Sequence, residues 1–246
     1  MAIYQDIAEE LRRRIKDGVY AVGEALPSEP QLMDEFGVAR PTVRNALAYL
    51  RRDGLIEAAR GKGMFVAQPP PVLTVRTGRF SRAARRAGKG ALAAEAEALG
   101  LEWSSEQLES GAVDLPPRVA EVLGEPRGAV KRRRMWVAGV PTQLADSYLP
   151  ASLDEEIGWS RGATAPGGVY GLIEQHGHRI TRFCEQLSAR LALPDEAVAL
   201  QLALGAPVVD VIRLAYDQDG RVVEYFDSVA AADKHRYVFE FDAPDD

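Results

Sequence analysis

The chain has 246 residues, enough for one large or two modest domains, and at 46% hydrophobic and 27% charged it has the balance of an ordinary soluble protein. Its single cysteine, Cys184, excludes an internal disulfide framework, and no apolar run approaches the ~20 residues of a membrane span. The net charge is −6, yet residues 1–68 carry ten basic and ten acidic groups, so the whole negative excess lies beyond them.

Tyr4, Ile7, Ala8, Leu11 and Ile15 recur at helical spacing and predict a first helix over Tyr4–Asp17, ended by Gly18. Its acidic residues set it apart from a signal or transit peptide, so a cytoplasmic location is expected. Ser28 is placed as an N-cap, with Gln31 three residues on completing a capping box. Leu32 and Phe36 give that second helix an apolar side, and Gly37 can turn the chain left-handed. A third helix begins near Arg40, with Pro41 in its first turn, where the missing N–H costs nothing. Val43, Ala46, Leu47 and Leu50 mark its buried face, and Arg40 and Arg44 project as neighbours beside it. Gly54 closes the helix. Leu55–Glu57 and Met64–Val66 then flank a tip of Arg60, Gly61, Lys62 and Gly63, the pattern of a two-stranded wing.

Two helices around a glycine turn, with arginines early on the second, form the helix-turn-helix layout. Guanidinium groups there can bond bidentately to guanine edges. Lys62, between two glycines, suits a phosphate or minor-groove contact. A three-helix core with solvated arginines is the bland alternative. Turn glycine, proline entry and basic wing in one register favour double-stranded DNA as the partner.

Pro69, Pro70 and Pro71 lack donors and favour an extended linker, so the domain boundary is placed here, with domains at 1–68 and 77–246 and a linker at 69–76. From Arg76 to Lys89 run six basic residues without one acid. Beyond them the pattern predicts helices at Ala91–Leu99, Pro116–Leu123, Tyr170–Gln175 and Pro194–Leu202. Strands are expected at Val130–Val137, Thr142–Tyr148, Ile180–Leu191, Val208–Tyr216 and Val222–Val229. Two hairpins, about Gly139-Val140-Pro141 and Asp217–Gly220, imply an antiparallel sheet with helices to one side, an α+β domain.

These residues carry a resemblance. Leu26-Pro27-Ser28-Glu29, the run Phe36–Arg44, Gly54-Leu55-Ile56 and Gly61-Lys62-Gly63 resemble the winged helix of the GntR family of bacterial transcription regulators. The resemblance implies DNA contacts from Arg40, Thr42, Arg44, the wing glycines Gly61 and Gly63, and Lys62. Where the family often has an arginine after the Leu-Pro-x-Glu run, this chain has Pro30, so one contact is absent. Gly139-x-Pro141, Ser147-Tyr148-x-Pro150, Gly167–Tyr170, Asp219–Glu224 and Ala232–Arg236 resemble the UTRA effector-binding domain, which has a chorismate-lyase-like fold and accompanies this winged helix in the HutC subfamily. That resemblance places pocket residues at Ser147, Tyr170, Glu185 and Glu224. It also places the phosphate-holding arginines of sugar-phosphate binders at Arg133 and at Met135, where the second arginine is missing. Tyr225 and Asp233 are further candidates, either lining the pocket or bracing the sheet.

No nucleophile elbow, Walker loop or His-Glu-x-x-His stands in the chain, so neither an enzyme nor a cofactor is expected, and His176 and His178 beside a turn do not make a metal site. Gly88-Lys89-Gly90 opens a helix whose N–H groups suit an anion, with Lys89 and Gly90 as contacts. On the 130–137 strand Arg132 and Arg134 face one way, Lys131 and Arg133 the other. The expectation is a homodimeric repressor, released from a palindromic operator by a small anionic effector. The rival is an enzyme on the C-terminal domain with a winged helix attached.

Overall fold

The computed structural model describes residues 3–59, 63–67, 72–76, 80, 91–162 and 165–241. The chain divides into two compact units, Met1–Pro70 and Pro71–Asp246. The wing tip Arg60–Lys62, the prolines Pro69–Pro71 and, of the basic run, Arg79, Arg82, Arg85, Arg86 and Lys89, together with Gly90, lie outside the described residues.

The first unit holds α1 (Ile3–Lys16), α2 (Glu29–Phe36), α3 (Arg40–Arg52) and a ribbon of β1 (Ile56–Ala59) and β2 (Gly63–Val66). Ile7, Ala8 and Leu11 of α1 and Val43, Ala46, Leu47 and Leu50 of α3 are buried against Leu32, Ile56 and Val66. Burying side chains of this size contributes roughly 1.5–3 kcal/mol each, which outweighs the modest propensity of short helices. The expected capping box is present: the Ser28 N–H donates to Gln31 Oε1 at 2.8 Å. Gly37 is left-handed at φ 63°, which aims α3 away from α2. The ribbon is antiparallel, Ile56 opposite Val66, and Ala25 adds a bridge to Phe65.

The second unit is built on six antiparallel strands in the order β4-β5-β6-β9-β8-β7. They are β4 (Trp103–Asp114), β5 (Arg127–Val137), β6 (Val140–Pro150), β7 (Arg182–Leu191), β8 (Pro207–Tyr216) and β9 (Val222–Ala231). Alternation sends successive side chains to opposite faces. One face packs under α6 (Ala151–Ile157) and α7 (Gly168–Gln175), where Ala129, Leu149, Leu153, Ile157, Ile173 and Val223 are buried. The other buries Val130, Tyr148 and Tyr225 against α5 (Pro117–Leu123), and α8 (Pro194–Ala199) completes the helices there. At one end β3 (Leu73–Arg76) pairs in parallel with β10 (His235–Val238), and α4 (Ala91–Ala98) packs Ala96 on Leu73 and Val137.

Several details depart from the sequence expectations, first that helices cover both faces of the sheet where one side was expected. β4 carries no usable alternation because this edge strand is exposed along most of both faces. α6 starts directly after Pro150, where the sequence showed only the end of a strand. The first hairpin turns on Ala138 and Gly139, at φ 50° and 76°, one residue earlier than expected. Two central residues at positive φ match the right-handed twist of the flanking strands. Pro141 sits within β6 where the register shifts, a place that spares the ladder a missing donor.

Gly128 opens β5 against the end of β6, and a Cβ there would stand 2.2 Å from the Leu149 carbonyl oxygen and 2.9 Å from the Leu115 side chain. Backbone cannot yield as a side-chain tip can. Gly128→Ala is expected to cost on the order of 2–3 kcal/mol in urea unfolding. An unchanged midpoint would mean that the β5–β6 end is not packed as described.

Candidate functional site

The polar side of α3 is set by what its apolar side buries. With Val43, Ala46, Leu47 and Leu50 inward, Arg40, Pro41, Arg44, Asn45 and Ala48 are exposed. Arg40 donates from Nε to Glu29 Oε2 at 2.7 Å, which steadies the base of its side chain. Arg44 makes no ion pair among the described residues. Thr42 is half-buried, its N–H bonded to the Ala39 carbonyl at 3.0 Å. Gly63 heads β2, exposed and at φ 105°, a conformation that favours glycine. The arginines of α1 are engaged elsewhere: Arg12 pairs with Glu9 and Asp53, Arg13 with Glu10 and Asp17, and Arg14 with Glu10 and Glu35.

The second unit contains a cavity of about 550 Å³. Sheet residues from β5, β6, β8 and β9 form one wall, and α4, the segment leading into α7, and the β3–β10 pair form the others. Two guanidinium groups reach it, and they differ sharply. Arg213 of β8 is buried and lies over the rings of Phe226 at 4.0 Å and Phe80 at 4.5 Å. Its Nε donates to the Tyr170 hydroxyl at 2.8 Å, Glu185 stands 3.6 Å away and Glu224 4.0 Å. The Tyr170 hydroxyl in turn donates to Glu224. Burial alone would lower the Arg213 pKa, but Tyr170, Glu224 and Glu185 outweigh it and hold the group above its ordinary value. Burial likewise pushes the Tyr170 hydroxyl well up, so it stays a proton donor.

Arg133 of β5 is the other. Its Nη2 donates to the Ser147 hydroxyl at 2.6 Å, while its Nε is buried with no partner. No carboxylate among the described residues comes within ion-pair distance. Burial lowers its pKa, and Glu224 does not make up the loss against the added repulsion from Arg213. A charge so placed is costly unless an anion joins it.

The expected pocket residues are therefore divided. Arg133, Tyr170 and Glu224 line the cavity, Ser147 holds Arg133, and Glu185 stands behind Arg213. Tyr225 is a correction: the alternation of β9 sends it to the opposite face, where it packs on Tyr148 at 6.4 Å. Asp233 is a second correction, since the short 3-10 turn Ala232–Lys234 leaves it exposed and away from the lining. The sequence reading missed Arg213, Gln143 and His235, which all line the cavity. Arg213 had a visible signal, a charge between Val211 and Ala215 on the inward side of an apolar strand. His176 and His178 join no cluster that could hold a metal among the described residues.

An exposed basic helix face in one unit and a half-satisfied cationic cavity in the other define a DNA-binding protein that answers to a small molecule. The chain belongs to the gntR family of bacterial regulatory proteins, whose model matches residues 3–66, and carries a UTRA domain over residues 96–236. It is 29% identical to the HTH-type transcriptional repressor NagR of Bacillus subtilis over 98% of this chain and 95% of that one. It is 30% identical to an HTH-type transcriptional regulator of Streptomyces coelicolor over 98% and 93%. The solved structure of PhnF from Mycobacterium smegmatis superposes with a TM-score of 0.60 at 25% identity, over 96% of this chain and 99% of that one. The chain is a ligand-responsive DNA-binding transcription regulator, and the enzyme alternative finds no support among these relatives.

Tyr170 links Arg213 to Glu224, so removing its hydroxyl strands two buried groups at once. Tyr170→Phe is expected to destabilise the second unit by about 1–3 kcal/mol in thermal or urea unfolding. A neutral result would show that the hydroxyl carries no part of the network.

Proposed function

We propose that the protein is a cytoplasmic homodimeric repressor. Two copies of α3 enter the major groove of successive half-sites, about one turn or ~10 bp apart or a multiple of it. Arg44 and Arg40 read base edges, Thr42 contacts the backbone or a base, and Gly61, Lys62 and Gly63 bring the wing to the phosphates or the minor groove. Arg44 is exposed and makes no ion pair among the described residues, on a helix without one acidic residue, and this supports the reading. No helix among the described residues is long and apolar enough to cross a membrane.

The effector is a small anion bound at Arg133. The single observation that carries this reading is a half-buried guanidinium that has no carboxylate partner among the described residues and lies beside a cavity of about 550 Å³. An anion there forms a charge-assisted bond. With Met135 where a second arginine would double the charge, a carboxylate fits better than a phosphate. The boundary of the units falls at Pro70 and Pro71, and β3 begins two residues later. Val75 of β3 and His235 and Tyr237 of β10 line the cavity, so a ligand touches the strand that leads to the joint. The ligand shifts the DNA-binding equilibrium by its differential affinity for two arrangements of that pair of strands.

Two substitutions test the halves separately. Selection from random duplexes should return a palindrome. On it Arg44→Ala should lose on the order of 1–3 kcal/mol in fluorescence anisotropy while keeping its fold and oligomeric state. Binding as tight as that of the unaltered protein would remove Arg44 from the interface. Arg133→Ala should bind the same operator normally without ligand, yet stay on it at effector concentrations that release the unaltered protein. Unchanged release would return Arg133 to a purely structural place.

A further inference from the structure

His235 is the first residue of β10, opposite Leu73 of β3, and its ring lines the cavity. Its Nδ1 lies 2.9 Å from the Ala231 carbonyl oxygen. A carbonyl oxygen only accepts, so Nδ1 carries the proton and a neutral ring must offer Nε2 as an acceptor. Burial lowers the pKa of this imidazole, more than the Ala231 bond and Asp233 raise it. The ring is also fixed in direction, nearly parallel to Tyr237 with 6.2 Å between centroids. Gln143 supplies a second polar group on the opposite wall. Its amide nitrogen donates to Ser228 at 2.7 Å, which leaves its carbonyl oxygen as an acceptor. Among the described residues of the lining, Arg133 is a donor without a carboxylate partner, and acceptors stand apart from it, the Glu95 and Glu97 carboxylates among them. Phe80, Trp103, Met135 and Phe226 supply apolar lining between them.

We infer that His235 is a specificity determinant of this cavity, accepting at Nε2 a hydrogen bond from a hydroxyl or N–H on the effector, whose anionic group sits on Arg133. The inference rests on the reading of the cavity as the effector site and adds to it the second point of recognition. A plain apolar acid covers the Nε2 acceptor without answering it, whereas an acid with a donor at its far end satisfies it. The same residue belongs to β10, so the bond that selects the ligand is made on the strand paired with β3.

The experiment uses matched acids and full-length protein. Phenylacetate, phenylpropionate and hexanoate are each titrated beside the derivative with a hydroxyl at the end remote from the carboxylate, by calorimetry and thermal shift. The hydroxylated member of at least one pair should bind about three- to ten-fold more tightly, the worth of one neutral hydrogen bond. His235→Asn can still donate to Ala231 but withdraws the acceptor from the cavity, and it should bring the ratio to one. His235→Gln extends an acceptor to the Nε2 position and should restore a preference. A purely structural histidine would give the reverse order, with Asn the better replacement. If the acids bind in an Arg133-dependent way and no pair discriminates, the role of His235 falls and the anion site stands. A preference that survives His235→Asn assigns the hydroxyl to Gln143 and overturns the inference. If no acid binds, the monocarboxylate reading of Arg133 falls and this one with it.

Discussion

A guanidinium taken out of water is costly unless something answers its charge, and the second unit holds one, Arg213, that is buried and answered and one, Arg133, that is half-buried with no carboxylate partner among the described residues. Arg213 is enclosed by two aromatic faces, a tyrosine hydroxyl and two carboxylates. That arrangement ties β8 to β7, β9 and α7, so it shapes the wall of the cavity as well as stabilising it. Arg133, on the same sheet wall, has only the Ser147 hydroxyl as a partner among the described residues. The contrast matters because both arginines come from inward-facing positions of the same sheet, where strand alternation leaves no choice of direction. One arginine is part of the frame. The other stands beside the cavity without a carboxylate partner among the described residues, which is the basis of the effector site proposed above.

The first unit meets a similar constraint with a different outcome. Its ten basic and ten acidic groups cancel, so general attraction to DNA is weak. Position compensates for number. The arginines of α1 are committed to neighbouring carboxylates, which fasten α1 to α2 and to the end of α3. α3 has no acid of its own, and its four inward aliphatics turn Arg44 outward. The same apolar stripe that forms the core therefore orients the residue proposed to read DNA.

Much of this was legible from the chain alone where local chemistry decides the structure. The capping box of Ser28 and Gln31, the left-handed Gly37 and the stripe of α3 all follow from residues within a few positions of each other. The β5–β6 and β8–β9 hairpins followed from their turns and alternation, while the order of strands across the sheet did not. What escaped depends on distant partners. β3 and β10 pair across most of the domain, and nothing within either four-residue strand announces the other. β4 is a polar edge strand held by β5 alone, so it shows no period of its own. In the site, Arg133 was visible as one of a basic run. Tyr225 was misplaced because a tyrosine next to a pocket glutamate looks like a pocket residue until the pleat separates the two faces.

These two constraints fit together in the switch. A DNA-binding unit with little net charge leans on a few directed contacts, so its specific affinity is not supported by a large electrostatic background. Each tenfold change in occupancy then needs only about 1.4 kcal/mol of bias. The anion proposed at Arg133 supplies such a bias only as far as its relief of that charge differs between two arrangements of the domain. The cavity meets that condition in its construction. Arg133 and Gln143 belong to the packed sheet, while Val75, His235 and Tyr237 belong to the separate two-stranded pair that continues toward the joint. Under the proposed reading, a ligand holding both at once makes the spacing between sheet and strand pair part of its own binding energy.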